Sequence, residues 1–227
     1  MKILVKFPTR GRASLFFKTL DLYYSMAENL NDLFFLISID TDDHEMNNVN
    51  INEKLLTYDN LQFVYGNSKN KIDAVNRDMD LLYFDYDIIL LASDDMIPQI
   101  KGYDLTIRNK MQDNFPDTDG ILFFNDGYRN NELNTLCILG KKYYERFGYI
   151  YCPEYNSLFA DNEFMQVGYL LNKQIYFDEC IIKHEHPDNG FAGMARDNIH
   201  VLNHKYYHID ERVFLERKSK NFLLGEI

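Results

Sequence analysis

The sequence has no tryptophan and only three cysteines, which are unevenly spaced and form no C-x-x-C pair. A disulfide framework or a structural zinc site is therefore not expected, and a reducing environment fits the chain better. No apolar run approaches the ~20 residues of a membrane-spanning helix, and the N-terminal apolar run is too short for a signal peptide. We expect a cytoplasmic protein without a transmembrane segment.

Positive charge is also scarce, because 24 Lys and Arg stand against 35 Asp and Glu, which gives a net charge of −11. General duplex-DNA binding proteins present a basic face, so nonspecific nucleic-acid binding is not expected. The chain contains neither GxxxxGK(S/T) nor a GxGxxG after its first apolar run. These absences exclude a P-loop hydrolase and disfavour a dinucleotide-binding Rossmann enzyme.

Short apolar runs alternate with amphipathic stretches in the first half of the chain. The runs predict strands at 2–7, 33–40, 61–66 and within 86–98. Helical spacing predicts helices at 14–29 with Ser14 as N-cap, at about 50–58 and at 70–83. Such alternation favours an α/β fold, with a mixed, mostly parallel sheet flanked by helices in a single domain.

The second half of the chain has a more mixed pattern. It predicts strands at 120–126 and 135–140 and helices at 141–148 and 160–173. The stretch 174–187 predicts one or two strands broken near Asp178, and 195–220 predicts a helical tail.

Two adjacent aspartates, Asp94 and Asp95, follow Ser93 at the end of the fourth apolar run. Like charges side by side repel each other unless a cation lies between them. Carboxylates are ligands that Mg²⁺ and Mn²⁺ prefer, and substrate phosphates often complete such sites. An aspartate here could equally cap a helix beginning near Pro98, so the residues alone leave both interpretations open.

Polar residues collect where the predicted strands end, and in a parallel sheet those ends meet at one ligand-binding edge. Arg10 and Arg12 follow the first strand, where they could clamp a phosphate, stack on a base or lie in a solvated loop. The Gly-Asn-Ser turn at 66–68, before a predicted helix, offers backbone N–H groups to an anion.

Two later clusters also carry chemistry. His184 and His186 alternate on an extended segment, so both imidazoles point to one side, either toward a metal or toward solvent. Asp161, Asn162 and Glu163 lie at a predicted helix start. Asp161 suits an N-cap, and a carboxylate held there can also act as a general base.

Taken in order, these motifs resemble those of GT-A-fold, family-two-like nucleotide-sugar glycosyltransferases. The resemblance covers roughly residues 2–190 and rests on FPTRGR, SIDTDD, NKIDAVNRDM, ILLASDDMIP, KKYYERFGY, FADNEF and HEHP. It implies a metal-dependent, inverting transfer of a hexosyl or related group from a nucleotide diphosphate-sugar, preferably a UDP-sugar, to an acceptor hydroxyl. It also implies a nucleotide-binding half at 1–98, an acceptor and catalytic half at 99–190 and a helical tail at 191–227.

The resemblance assigns roles to individual residues. It makes Asp161 the catalytic base, with Glu163 in a supporting or acceptor-binding role. It makes Asp95 the main ligand of Mn²⁺ or Mg²⁺ in a DxD-like motif, with His184 or His186 completing the metal site. The expected nucleotide-sugar contacts are Pro8, Thr9, Arg10, Arg12, Asp40, Asn67, Lys71, Asn76, Arg77, Ser93 and Asp94.

Two other functions fit parts of the sequence. Ser93 and Ala160 stand where the family usually has acids, which favours an inactive nucleotide-sugar binding module. A sugar-phosphate nucleotidyltransferase of the same fold is the second alternative, although PTRGRASL lacks the Gly-rich, basic signature of those enzymes. The acceptor is expected to be a glycan, a lipid-linked sugar, a protein or a modified nucleic-acid base. The basic tail residues Arg212, Arg217, Lys218 and Lys220 offer a local contact with an anionic surface.

Overall fold

The structure, a computed structural model, describes residues 1–186 and 204–226. Over these residues the strands are β1 Ile3–Thr9, β2 Leu33–Asp40, β3 Leu61–Gly66, β4 Ile88–Leu91, β5 Met96–Pro98, β6 Ile121–Phe124, β7 Ile138–Gly140, β8 Gln174–Phe177 and β9 Ile182–His184. The helices are α1 Ala13–Met26, α2 Val49–Leu55, α3 Lys71–Asn76, α4 Tyr103–Asn114, α5 Lys141–Phe147, α6 Ala160–Leu170 and α7 Tyr207–Ser219.

Seven strands form one sheet in the order β3-β2-β1-β4-β7-β6-β8, and β5 pairs with β9 in a separate two-stranded sheet. Strands β1 to β4 run parallel, whereas β7 runs antiparallel to β4 and β6. The predicted mixed, mostly parallel α/β sheet in a single domain is confirmed. The break expected near Asp178 separates β8 from β9.

Helices cover both faces of the sheet, each over its own apolar core. One core packs α1 and α4 against the sheet through residues such as Phe16, Tyr23 and Ile107. The other packs α3, α5, α6 and α7 against the opposite face. Burial on both faces explains why β1, β2 and β4 are nearly continuous apolar runs rather than alternating ones.

Helix α3 ends at Asn76 instead of continuing to residue 83, and Asp78 adopts a left-handed φ of 71°. The cause lies in β1, where Lys6 is wholly buried and donates a hydrogen bond to the Arg77 carbonyl at 2.8 Å. A carbonyl that turns toward a buried ammonium no longer accepts a bond along the helix. The buried lysine therefore ends a helix that apolar spacing alone predicts to continue to residue 83.

The start of α1 also differs from the prediction, because the helix begins at Ala13 and Ser14 lies inside its first turn. The Ala13 amide donates to Glu45 Oε1 at 2.8 Å, and the Gly11 amide donates to Asp43 Oδ2 at 2.7 Å. The loop after β2 thus supplies the acceptors that Ser14 was expected to supply. These bonds hold the loop after β1 against the acidic loop after β2.

Two further capping expectations are wrong. Helix α4 begins only at Tyr103 and has no side-chain cap, so neither Asp94 nor Asp95 caps a helix near Pro98. Asp161 lies in the first turn of α6, whose N-cap position belongs to Phe159. Asp161 Oδ1 still accepts a hydrogen bond from Asn162 N at 2.9 Å within that first turn, whereas Asp94 and Asp95 are removed from any helix start near Pro98.

Parts of two predictions, the end of the stretch 174–187 and the first part of the tail at 195–220, lie outside the described residues. None of the helices described at 1–186 and 204–226 has both the length and the apolar character needed to cross a lipid bilayer.

Candidate active site at the carboxyl ends of the strands

The loop after β1 is tied to the end of β2 by an arginine. Arg10 Nη1 lies 2.7 Å from Asp40 Oδ2, and the guanidinium also makes two hydrogen bonds to Asp42 at 2.6 and 2.8 Å. The hydrogen bond to Asp42, followed by that to Asp40, outweighs burial and raises the pKa of Arg10 above its ordinary value. The expected nucleoside contacts Arg10 and Asp40 thus lie side by side.

Asp40 is also held from β3 and α3. Its Oδ1 accepts hydrogen bonds from Ser68 N at 3.0 Å and Ser68 Oγ at 2.6 Å. Arg77 lies behind this contact, donating to Ser68 Oγ at 2.9 Å and to the Ile39 carbonyl at 2.8 Å. A Cβ at Gly66 would lie 2.2 Å from Arg77 Nη1, so a larger residue there would displace the Arg77 guanidinium.

The remaining expected nucleotide contacts fall into two groups. Pro8 and Thr9 end β1, and Asn67 accepts a hydrogen bond from Thr41, all at the same sheet edge. Asn76 lies away from them, because its side chain donates to the Tyr151 carbonyl and accepts from two backbone amides at 2.9 and 3.1 Å. Its amide group ties α3 to the loop before α6, which corrects the expectation of a ligand contact.

The two adjacent aspartates have different partners. Asp94 Oδ1 lies 3.1 Å from Arg12 Nη1, and the Asp94 carbonyl accepts from Thr19 Oγ1 at 2.7 Å. Asp94 is thereby fixed to the loop after β1 and to α1. One negative charge of the pair is neutralised by an arginine on the same loop as Arg10.

Asp95 is buried and faces His184, whose Nε2 lies 3.5 Å from Asp95 Oδ2. Pairing of β5 with β9 produces this contact, because it places Met96 opposite His184. Ser93 Oγ donates to the other carboxylate oxygen. Burial favours a higher pKa of Asp95, but the hydrogen bond and charge of His184, the Ser93 bond and the charge of Lys71 outweigh it and lower the pKa.

A divalent cation fits this pair only with help from other ligands. Asp95 and His184 supply a carboxylate and an imidazole, and the His186 ring centroid lies 5.6 Å from that of His184. Within the described part of the chain, no group of three or more His, Cys, Asp or Glu side chains is arranged to hold a metal. One or two protein ligands are enough where substrate phosphates and water complete the coordination.

Asp161, at the start of α6, is the candidate base. Burial raises its pKa above the ordinary value for aspartate, and Lys71, backbone hydrogen bonds and His184 offset this only in part. Lys71, at the start of α3, is exposed. A carboxylate with a raised pKa is a stronger base than an ordinary aspartate.

Glu163, expected in a supporting or acceptor-binding role, is engaged by protein partners. Arg217 of α7 donates to its two carboxylate oxygens at 2.8 and 2.9 Å, and Tyr155 adds a hydrogen bond at 2.7 Å. The carboxylate is buried and fully engaged in joining α6 to α7. Arg217 is consequently buried as well, and it is removed from the basic surface expected of the tail.

Solved glycosyltransferase structures share this fold. The mannosyltransferase PcManGT from Pyrobaculum calidifontis, in complex with GDP-Man and Mn²⁺, matches with a TM-score of 0.65 at 14% identity, over 84% of this chain and 58% of that chain. S. aureus TarS 1–349 in complex with UDP-GlcNAc matches with a TM-score of 0.61 at 16% identity, over 86% of this chain and 62% of that chain. The chain has a GT-A glycosyltransferase fold.

The GT-A fold is also similar to that of an enzyme of another kind. The 4-diphosphocytidyl-2C-methyl-D-erythritol synthase from Anaerococcus prevotii DSM 20548 matches with a TM-score of 0.52 at 14% identity, over 84% of this chain and 94% of that chain. No protein-family model and no curated protein sequence matches this chain. The chain spans about three fifths of the length of the two glycosyltransferase structures.

Sequence reasoning missed two buried polar residues that support this GT-A site. Lys6 donates to Ser38 and to the Arg77 carbonyl beneath the sheet edge where nucleotide contacts are expected, and burial lowers the pKa of Lys6 to about 7. Asp210 of α7 binds the turn before α6. The lysine within the apolar run KILVKF could have indicated that Lys6 is a buried polar residue. No local sequence pattern indicates that Asp210 binds the turn before α6.

Proposed function

We propose that this chain transfers a sugar from a nucleotide diphosphate-sugar to an acceptor hydroxyl. The observation that carries the proposal is a cluster of charged pairs beyond the carboxyl ends of the strands. Arg10 pairs with Asp40 and Arg12 pairs with Asp94, while Asp95 faces His184 at 3.5 Å. The charge of Lys71 acts on the pKa of both Asp95 and Asp161, so the proposed metal ligand and the candidate base lie within electrostatic reach of the same cation, an arrangement typical of active sites.

The donor nucleotide occupies the edge formed by the ends of β1, β2 and β3 in this proposal. Asp40 and Arg10 contact the nucleoside, and the exposed ammonium of Lys71 pairs with the diphosphate. The solved neighbours in complex with GDP-Man and with UDP-GlcNAc support a nucleotide-sugar donor, and we favour a uridine carrier. The other proposed contacts are Pro8, Thr9, Arg12, Asn67, Arg77, Ser93 and Asp94.

Asp161 is the proposed general base. It removes the proton from the acceptor hydroxyl as the oxygen attacks the anomeric carbon on the face opposite the leaving diphosphate. A single displacement of this kind inverts the anomeric configuration. The acceptor is a hydroxyl of a glycan, a lipid-linked sugar, a protein or a modified nucleic-acid base.

Mn²⁺ or Mg²⁺ is the proposed cofactor, with Asp95 and His184 as its protein ligands and His186 as the neighbouring imidazole. When bound, such an ion neutralises negative charge on the diphosphate. The complex of PcManGT with Mn²⁺ supports this part of the proposal.

A nucleotidyltransferase is the second candidate function, because the Anaerococcus synthase has a similar fold. Such an enzyme joins a sugar phosphate to a nucleoside triphosphate and releases pyrophosphate. The loop after β1 argues against it, since its sequence PTRGRASL has a single glycine and lacks the Gly-rich, basic signature of those enzymes.

A panel of UDP- and GDP-sugars with and without Mn²⁺ tests the proposal. A donor that binds the folded state raises the thermal unfolding midpoint. A transferase then moves the sugar slowly to water or rapidly to an acceptor hydroxyl, and it releases the nucleoside diphosphate in both cases. Pyrophosphate release from a nucleoside triphosphate and a sugar phosphate indicates the second function instead. Stabilisation without turnover indicates the binding module that Ser93 and Ala160 favour.

A further inference from the structure

Asp210, in the first turn of α7, is wholly buried and accepts four hydrogen bonds from one turn of the chain. Its Oδ1 accepts from Asn156 N at 3.0 Å and Asn156 Nδ2 at 2.9 Å. Its Oδ2 accepts from Ser157 N at 2.8 Å and Leu158 N at 2.9 Å. All four donors belong to the turn and none to α7. The favourable interaction of a carboxylate with the N-terminus of its own helix therefore does not by itself explain why Asp210 is buried here.

The turn that Asp210 binds leads directly into the candidate base. Phe159 follows it with a left-handed φ of 63°, and α6 begins at the next residue, one before Asp161. A left-handed conformation is unfavourable for a bulky side chain and persists only where surrounding contacts enforce it. The four hydrogen bonds to Asp210 are contacts of that kind.

The same turn reaches the cationic side of the site through Asn156. Its carbonyl accepts from Ile72 N at 3.3 Å, and its side-chain oxygen accepts from Asn70 Nδ2 at 3.2 Å. Asn70 and Ile72 flank Lys71 at the start of α3. Asp210 is therefore joined on one side to the segment of Asp161 and on the other to that of Lys71.

Helix α7 is fixed to α6 at a second point. Arg217, about two turns after Asp210, binds Glu163 in the first turn of α6. These contacts bracket Asp161, with the Asp210 turn before it in the chain and Glu163 after it.

We propose that Asp210 is a positioning residue, which sets the candidate base Asp161 and the cation Lys71 relative to each other through the turn 156–158. The proposal rests on the function proposed above. It gives the C-terminal helix a direct part in the geometry of the site, although α7 supplies no group that touches substrate.

The test variant is Asp210→Asn, because asparagine keeps the shape but presents an NH₂ group to two of the four donors. Glu211→Gln is the matched control, since it removes the same charge from the next residue, whose contact with the exposed His208 is 3.6 Å long. The substrate is the nucleotide sugar that the wild type turns over fastest. We expect Asp210→Asn to lower the turnover rate, normalised to the concentration of protein that binds the donor, at least about tenfold. Uridine affinity measured by calorimetry should stay within about twofold in both variants, because the nucleoside contacts Asp40 and Arg10 do not depend on the turn.

A combined variant separates positioning from general damage. If Asp210 acts through Asp161 and Lys71, adding Asp210→Asn to the double variant Asp161→Asn/Lys71→Met lowers the residual rate by less than about twofold. A further fall of about tenfold in the triple variant would overturn the proposal. Should Asp210→Asn fail to fold, Asn156→Ala serves, because it removes only the side-chain relay, with an expected loss of about fivefold.

Hydrogen exchange gives a readout that needs no activity. In Asp210→Asn we expect faster exchange both in the amides of 156–163 and in those of 70–76, with Glu211→Gln unchanged. Normal protection of 70–76 in a folded Asp210→Asn protein would contradict the proposal whether or not the wild type turns over a nucleotide sugar. A different result is a wild type that turns over no nucleotide sugar while Asp210→Asn still shows the expected faster exchange in both segments. That result would count against the proposed function and leave the positioning role standing.

Discussion

The proposed donor side of the site, around Arg10 and Asp40, and the proposed acceptor side, around Asp161, are held in place in different ways. On the donor side, ion pairs join loops that directly follow β1 and β2, as between Arg10 and Asp40 at 2.7 Å. On the acceptor side, Asp161 follows a turn whose amides bind Asp210, up to 54 residues further along the chain. The donor side is organised by its own loops, whereas the acceptor side depends on a helix from the far end of the chain.

This difference predicts how each side responds to substitution. Exposed donor-side residues such as Arg10 and Lys71 act locally, so their loss should change binding with little effect on folding. Acceptor-side residues are buried in shared polar contacts, so their loss should change either the rate or the stability of the whole domain.

The largest effect is expected for Asp161→Asn. Loss of a general base lowers a rate by about 10²–10⁴-fold, while UDP affinity should remain, because the nucleoside contacts lie on the donor side. Steady-state release of nucleoside diphosphate and calorimetric UDP titration measure the two quantities. The exposed Asp113→Asn on α4 is the matched control and should behave as wild type; a comparable loss there would remove the special role of Asp161.

Glu163→Gln should act on stability rather than on chemistry. Removing one partner from the buried pair with Arg217 leaves an uncompensated charge and costs roughly 3 kcal/mol of unfolding free energy. Urea unfolding measures the loss, and the rate per folded molecule should fall far less than in Asp161→Asn. A stable Glu163→Gln protein with no turnover would show instead that Glu163 has a direct catalytic role.

Asp95→Asn and Asp94→Asn should separate the two adjacent aspartates. Asp95 faces His184, whereas Asp94 is paired with Arg12, so only the first should weaken Mn²⁺ binding in the presence of UDP, by at least about tenfold. Electron paramagnetic resonance of free Mn²⁺ gives the affinity. Equal losses in the two variants would contradict this division of roles.

The smallest effect is a shift in the pH dependence of the rate. Burial raises the pKa of Asp161, so this carboxylate is protonated at a higher pH than an ordinary aspartate, whose pKa is ~3.9. As the pH decreases, the rate should therefore begin to fall at that higher pH. The charge of Lys71 lowers that pKa, so Lys71→Met should move this limb of the profile to higher pH. Lys69→Met is the control and should leave the profile unchanged. If the acidic limb of the pH–rate profile does not move in Lys71→Met, the charge of Lys71 does not act on the pKa of Asp161.

The donor side was largely predictable from local sequence. Apolar runs mark strands β1 to β4, and the carboxyl ends of parallel strands meet at one edge, so Arg10, Asp40 and Asp95 had to lie near one another. The family resemblance then assigned roles that strand geometry could not. The GT-A fold itself is confirmed, and the division of the chain at residues 98 and 190 stays a prediction.

Helix ends and buried polar pairs were less predictable, on both sides of the site, for a physical reason. Ser14 and Asp161 satisfy the local preference for an N-cap, yet contacts from distant residues decide the helix starts. The same applies to α3, where the buried Lys6 ends a helix that apolar spacing continues. Buried polar pairs such as Glu163 with Arg217 depend on which elements meet in space, and no local pattern in the chain encodes that.

The anomeric configuration of the released sugar tests the central claim most directly. Nuclear magnetic resonance of the product, recorded before mutarotation, distinguishes attack by an oxygen that Asp161 activates from attack by an enzyme nucleophile. The account predicts a configuration opposite to that in the nucleotide-sugar donor, formed by wild type and not by Asp161→Asn. A retained configuration would contradict it.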